Sequence, residues 1–184
     1  PDMIFSYLLP KVKRNHTIGI SCICNNNRIG LSKYNEKNYI DFLVELCNMY
    51  IEKGYNVALY SFCIMQKDSV AMQKIFNKIK NKEQVSMIEY NGDTNSFLKD
   101  LLSCEYIIGT RFHSIVLALN AGIPVFPIIY NIKTKNLLTD LNFLGHYATI
   151  EDCNNIDFEF VDGYISVSRE FLYTCIWLFR RYCF

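Results

Sequence analysis

Short apolar segments alternate with amphipathic segments along most of the chain. Apolar runs rich in β-branched residues predict strands at 17–24, 57–62, 85–90, 105–109 and 125–130. Apolar residues at helical spacing predict helices at 36–53, 68–81, 95–103, 111–122 and 134–143. Strands that are apolar throughout and separated by helices indicate a parallel sheet with helices on both faces. The pattern therefore predicts an α/β, Rossmann-like fold.

Glycines punctuate the predicted helices. Gly54 follows the first helix, Gly122 the fourth and Gly145 the fifth, and each is predicted to end its helix as a C-cap. Pro124 then begins a buried strand, a position where proline is tolerated. Ligands of such folds bind beyond the carboxyl ends of the strands, so the loops at that edge are where candidate site residues are sought.

The chain divides into three predicted parts. Residues 1–16 are expected to be a linker or interdomain segment, 17–150 a Rossmann-like ligand-binding domain, and 151–184 a C-terminal extension that ends in a helix over 169–184. The apolar run 171–179 is too short to span a bilayer, so membrane contact is expected to be peripheral at most. No signal peptide is expected, and because the chain starts at Pro1 without a methionine, we expect it to be the C-terminal portion of a longer protein.

Composition excludes several classes of function. The net charge of +1 argues against a broad electrostatic surface for nucleic acid. Eight cysteines form no C-x-x-C pair, and the three histidines are badly spaced for a structural zinc site, so no metal site is expected. Buried free thiols in a reducing compartment are the simpler interpretation. A cytoplasmic protein, at most at the inner face of the membrane, is therefore expected.

The turn after the fourth predicted strand carries the strongest chemical signal. It places Arg111 and His113 in the first turn of a helix, where backbone N–H groups and the helix dipole favour an anion. The planar guanidinium of Arg111 matches phosphate or carboxylate, although it could instead form a surface ion pair or brace a neighbouring loop. His113 adds a titratable imidazole to the same turn, and a purely structural role is its equally weighted alternative. Thr110 is expected to be the N-cap that accepts from the His113 N–H.

Three further residues are weaker candidates for binding the same anion. Ser114 could add a hydroxyl, or could simply be a residue of the first helical turn. Lys133 follows the strand that ends at Tyr130 and could add a second positive charge, or could be a solvated lysine. Arg28 lies in an asparagine-rich loop after the first strand, where loop formation is the default role and substrate contact the alternative.

Motifs in this region resemble those of the polysaccharide pyruvyl transferase family. That family's pattern is an apolar strand, a Gly-x-Arg-(often Leu)-His turn, a helix, Gly-x-Pro, a strand and Tyr-x-x-Lys. The matching segments here are Ile108-Gly-Thr-Arg-Phe-His113, Gly122-Ile-Pro124, Tyr130 and Lys133. The resemblance covers residues 17–145, with its sharp motifs within 107–133. The chain departs from the pattern in having Phe112 where leucine is common.

The resemblance implies a two-domain, glycosyltransferase-B-like architecture in which this chain is the C-terminal, donor-binding half. It implies phosphoenolpyruvate as donor substrate, with no separate cofactor, and a sugar of a cell-surface polysaccharide, free or lipid-linked, as acceptor. Arg111 and His113 would hold the phosphoenolpyruvate, with His113 as acid/base. A second catalytic group could lie on an N-terminal partner domain.

Two other functions remain open at this point. A nucleotide-sugar glycosyltransferase of similar architecture is one alternative, although no Gly-rich phosphate loop or acidic ribose ligand occurs at the usual spacing. A non-catalytic α/β interaction domain is the other, supported by the aromatic tail at Phe171, Tyr173, Trp177 and Phe179.

Overall fold

The computed structural model describes residues 4, 7–24, 36–158 and 160–161. Their core is one parallel six-stranded sheet with strand order β3-β2-β1-β4-β5-β6. The strands are β1 (Thr17–Ser21), β2 (Asn56–Ser61), β3 (Val85–Glu89), β4 (Tyr106–Gly109), β5 (Val125–Ile129) and β6 (Ala148–Thr149). This is the order of doubly wound Rossmann folds, whose ligand crevice lies where the order reverses. The reversal here is between β1 and β4.

Helices cover both faces of the sheet, which confirms the predicted fold class. They are α1 (Glu36–Glu52), α2 (Asp68–Lys78), α3 (Thr94–Leu102), α4 (Phe112–Ala121) and α5 (Ile132–Asp140). Alternate strand residues enter different cores: Val57 and Leu59 pack with α1 and α2, whereas Ala58 and Tyr60 pack with the other three helices. Central strands are therefore apolar on both sides, as their sequences predicted.

Helix α5 begins and ends earlier than the 134–143 that its sequence pattern predicted. The side chain of Asn131 accepts a hydrogen bond from the Thr134 backbone N–H at 2.9 Å, so the helix starts at Ile132. It ends at Asp140, and Asn142 takes the left-handed conformation with φ of 46°. The prediction that Gly145 closes this helix was wrong, because the chain has already left the helix three residues before it. The predicted caps at Gly54 (φ 86°) and Gly122 (φ 64°) are confirmed.

Other boundaries also differ from the pattern. Helix α2 stops at Lys78 rather than at residue 81, because Ile79 is extended with ψ of 137°.

The third strand is an edge strand with mostly exposed side chains, so its apolar character is weaker than that of its neighbours. Strand β6 was not predicted, because two paired residues leave no periodic pattern to detect.

Both flanking segments pack on the sheet domain where the structure describes them. Near the start, the Nη2 of Arg14 donates to the carbonyl oxygens of Ala121 and Gly122 at 3.1 and 3.0 Å, at the C-terminal end of α4. After β6, Cys153 and Val161 are buried in the core beside α1. The predicted helix over 169–184 and the loop that contains Arg28 lie outside the described residues.

Cysteine chemistry in the described residues agrees with the interpretation as free thiols. Six cysteines are described and all are free, and only Cys63 among them is not fully buried. Within the same residues, no group of three histidine, cysteine or acidic side chains could hold a metal ion. None of the described helices is long and apolar enough to cross a membrane.

Candidate functional site

The turn between β4 and α4 lies at the carboxyl edge of the sheet, next to the reversal of strand order. Arg111 rather than Thr110 is the N-cap, and α4 begins at Phe112. The prediction that the Thr110 hydroxyl accepts from the His113 N–H was therefore wrong. That hydroxyl instead accepts from the Tyr39 hydroxyl at 2.9 Å, and the Tyr39 oxygen accepts from the Ile23 N–H at 3.2 Å. The turn is thus tied to α1 and to the chain after β1.

Ser21, the last residue of β1, holds this turn in place. Its Oγ accepts from the backbone N–H groups of Thr110 (3.0 Å) and Arg111 (3.2 Å). It lies 2.7 Å from Ser114 Oγ, whose own proton goes to the Arg111 carbonyl at 2.7 Å, so Ser21 is the donor of the pair. The backbone N–H groups of Thr110 and Arg111 are consequently already engaged within the protein.

Ser114 has the structural role that the sequence left open as an alternative. The side chain is fully buried, and its hydroxyl is engaged by Ser21 and by the Arg111 carbonyl. Direct contact with a ligand, as predicted, does not fit this geometry, because the hydroxyl faces β1 rather than solvent. Its contribution is to fix the backbone of Arg111.

Gly109 lets helix α4 approach the sheet closely at this turn. A Cβ at this position would lie 2.7 Å from Ile115 Cγ1 and 3.0 Å from Ser114 Oγ. Real Cβ atoms do not make such contacts, so any larger residue would push α4 away from β4. The glycine of the Gly-Thr-Arg sequence is therefore a packing requirement.

Arg111 is buried and forms an ion pair with Asp68, the first residue of α2. Its Nε donates to Asp68 Oδ2 at 2.6 Å, its Nη2 donates to Asp68 Oδ1, and its Nη1 donates to Gln66 Oε1. The structure thus contains the loop-bracing contact that the sequence left open as an alternative. Burial lowers the pKa of Arg111, but the hydrogen bonds and charge of Asp68 outweigh it and raise that pKa above its ordinary value.

Asp68 also fixes the loop between β2 and α2. It is fully buried, and its Oδ2 accepts from the Cys63 backbone N–H at 3.1 Å. Between the two residues the chain makes one 3-10 turn, Ile64–Gln66, and then passes through Lys67 in the left-handed conformation with φ of 56°. One carboxylate therefore connects the loops that follow β2 and β4.

His113 and Lys133 come together at Phe112. Each is exposed and is the second residue of its helix, α4 and α5 respectively. The Nζ of Lys133 lies 3.9 Å from the centre of the Phe112 ring, and the His113 ring centre lies 5.6 Å from it. The structure therefore places an imidazole, an ammonium and two helix N-termini at one edge, next to the buried Arg111.

Sequence reasoning missed three residues of this site. In the sequence, Ser21 is only a polar residue at the end of an apolar strand. Asp68 is only a polar residue at the start of a predicted helix, and Gln66 a polar residue before it. A carboxylate at a helix start is usually interpreted as a response to the helix dipole, so its pairing with Arg111 was hidden. The position of Arg28 lies outside the described residues.

Comparisons with known proteins agree with the motifs. The family model described as polysaccharide pyruvyl transferase matches residues 1–132. The amylovoran biosynthesis protein AmsJ of Erwinia amylovora is 28% identical over 123 residues, which cover 63% of this chain and 28% of AmsJ. The chain therefore spans less than a third of that relative.

A structural comparison gives a more distant likeness. The glycosyltransferase SnogD from Streptomyces nogalater matches 94% of this chain and 40% of its own chain, with a TM-score of 0.39 and 14% identity. The fold assignment rests on the strand order described above rather than on this likeness. Because the family model matches well over half of the residues, the chain belongs to the polysaccharide pyruvyl transferase family.

Proposed function

We propose that this protein transfers a pyruvyl group from phosphoenolpyruvate to a sugar of a cell-surface polysaccharide, and that this chain binds the donor. The observation that carries the proposal is that His113 and Lys133 both lie next to the Phe112 ring, at the carboxyl edge where Rossmann folds bind ligands. A further, N-terminal domain would complete a glycosyltransferase-B-like architecture and bind the free or lipid-linked acceptor.

The chemistry of the donor fits the groups at this edge. Phosphoenolpyruvate carries a phosphate and a carboxylate, which call for several cationic or N–H donors. Lys133 supplies an exposed ammonium, and α4 and α5 both begin here. Arg111 would contribute N–H donors from a guanidinium that Asp68 holds rigidly. Arg28, in the loop after β1, remains a proposed additional contact at the same crevice.

Ketal formation requires proton transfers that His113 could perform. Two sugar hydroxyls add to C2 of phosphoenolpyruvate, a proton is delivered to C3 to make the methyl group, and the C2–O bond breaks as inorganic phosphate leaves. The second hydroxyl proton leaves with the phosphate or through a base. Imidazole can donate or accept a proton near neutral pH, so His113 is the proposed acid/base. A second proton-transfer group would belong to the N-terminal domain.

Calorimetry tests donor binding. We expect the full-length protein to bind phosphoenolpyruvate and not a nucleotide sugar such as UDP-glucose, and Arg111→Ala to abolish that binding. Lys133→Ala should weaken binding by roughly 10- to 100-fold, as expected for loss of a charge-assisted contact. Lys135→Ala, an equally exposed lysine on the same helix, is the matched control and should change the affinity less than about two-fold.

Turnover tests the role of His113. His113→Ala should lower the rate of pyruvyl transfer by about 10²- to 10⁴-fold, with a smaller effect on phosphoenolpyruvate affinity. A variant that transfers pyruvate at an undiminished rate would remove the catalytic assignment. Binding of UDP-glucose in place of phosphoenolpyruvate would instead replace the proposed donor.

A further inference from the structure

We propose that Asp68 is a positioning residue for Arg111, and that Gln66 competes with the anionic donor for the outer end of the guanidinium. This inference rests on the proposed function, because it takes the β4–α4 turn as the place where the anion binds. Asp68 and Gln66 both lie outside the motifs that resemble the family.

Asp68 sets the direction of the Arg111 guanidinium. A guanidinium has five N–H donors in one plane. Asp68 accepts from Nε and Nη2 together, which fixes both that plane and the rotation of the side chain. Nη1 then points to Gln66. Two N–H donors of Arg111, one on Nη1 and one on Nη2, have no acceptor in the part of the chain that the structure describes.

The two partners of Arg111 differ in how easily an incoming anion can replace them. Asp68 is charged, fully buried and bonded to the Cys63 N–H as well, so it cannot move without breaking the loop. Gln66 is neutral and exposed, and it lies on the 3-10 turn. A phosphate or carboxylate oxygen forms a stronger hydrogen bond to a guanidinium than a carboxamide oxygen does. The donor should therefore replace Gln66 and leave Asp68 in place.

This arrangement makes Gln66 a determinant of donor affinity. Its carboxamide occupies one of the two Nη1 N–H groups, and an anion that binds Nη1 through both must displace it, so the affinity reports on how strongly residue 66 holds that N–H. A carboxylate at position 66 would hold Nη1 far more strongly, and an alanine would not hold it at all.

Substitutions at position 66 test the competition directly. In the full-length protein, Gln66→Glu should raise the Kd for phosphoenolpyruvate at least about ten-fold, and Gln66→Ala should leave it unchanged or lower it by up to about five-fold. The matched control is Gln73→Glu, which adds the same charge at an exposed position further along α2. Gln73→Glu should stay within about two-fold of the parent.

A substitution at position 68 tests the positioning role. Asp68→Asn should raise the Kd for phosphoenolpyruvate at least about ten-fold in the molecules that bind. A purely structural role would lower the number of binding-competent molecules in the titration and leave their Kd unchanged. If Asp68→Asn does not fold, the Gln66→Glu result decides the inference by itself.

Each outcome distinguishes this inference from the proposed function. If the parent binds phosphoenolpyruvate and Gln66→Glu binds it equally well, the inference is wrong and the donor assignment stands. If the parent binds inorganic phosphate but not phosphoenolpyruvate, the donor assignment is wrong. The inference is then tested by the Kd for phosphate in the same position 66 and 68 variants. Binding of neither anion overturns both.

Discussion

Removal of the Ser21 hydroxyl should destabilise the protein more than removal of its partner at Ser114. In Ser21→Ala, the Arg111 N–H loses its acceptor inside a buried turn, and the Thr110 N–H keeps only a long contact of 3.4 Å to the Ser21 carbonyl. An unsatisfied buried polar group costs about 1–3 kcal/mol, so the loss should total roughly 2–4 kcal/mol.

The comparison with Ser114→Ala isolates the acceptor role of Ser21. Ser114 Oγ donates to the Arg111 carbonyl, which also accepts from the backbone N–H groups of Ser114 and Ile115. Removal of that hydroxyl orphans no backbone group and leaves only the rotatable Ser21 O–H without its acceptor, so the cost should be about 1–2 kcal/mol. The two substitutions also share the Ser21–Ser114 hydrogen bond, so their effects should not add in the double variant.

Urea unfolding monitored by circular dichroism measures the difference. Both variants should shift the midpoint without a change in the denaturant dependence, because neither alters the surface exposed on unfolding. A Ser21→Ala variant as stable as Ser114→Ala would show that the two backbone N–H groups find other acceptors. The description of Ser21 as the residue that holds the turn would then be refuted.

Three further predictions follow from the same contacts. Gly109→Ala should cost about 1–3 kcal/mol in urea unfolding, because its Cβ would overlap Ile115; a neutral result would mean that α4 shifts freely. Phe112→Leu, which installs the residue common in the family, should weaken phosphoenolpyruvate binding by about two- to five-fold in calorimetry through loss of the Lys133 contact; unchanged affinity would mean that Phe112 does not hold this lysine. Burial raises the pKa of the Cys104 thiol from its ordinary value of 9.0 to about 11. Between pH 9 and about 11 only the unfolded chain releases the Cys104 proton. The free energy of unfolding should therefore fall as the pH rises, by up to roughly 1.4 kcal/mol per pH unit. The fall should be less steep in Cys104→Ala. An equal pH dependence of stability in the parent and in Cys104→Ala would contradict the raised pKa of Cys104.

The periodic parts of the chain were predictable from its sequence. Strands that are buried on both sides, such as β4, have continuous apolar sequences that predict them. The glycines at positions 54 and 122, which have positive φ, indicated where two helices end. The start of α5 was displaced because a single hydrogen bond, from the Thr134 N–H to the Asn131 side chain, decides where that helix begins. Such a bond has no periodic signature, so pattern analysis placed the helix by its apolar residues alone.

The site was predictable only as a location. The order of motifs indicated the turn that carries Arg111 and His113, and the neighbouring Lys133 followed from the strand that precedes it. Arg111 faces inward because Asp68, which is 43 residues earlier in the chain, lies next to it in the folded sheet. Contacts of that kind depend on the strand order, which fixes which loops meet at the carboxyl edge.

Histidine NMR offers the most direct measurement of whether phosphoenolpyruvate binds at this edge. The chain has three histidines: His113 lies at the carboxyl edge, whereas His16 precedes β1 and His146 precedes β6 at the opposite edge. Titration with phosphoenolpyruvate should shift the ring signals of His113 and leave those of His16 and His146 unchanged. Saturable binding that leaves His113 unshifted, or that shifts His16 or His146 instead, would contradict the donor site described here.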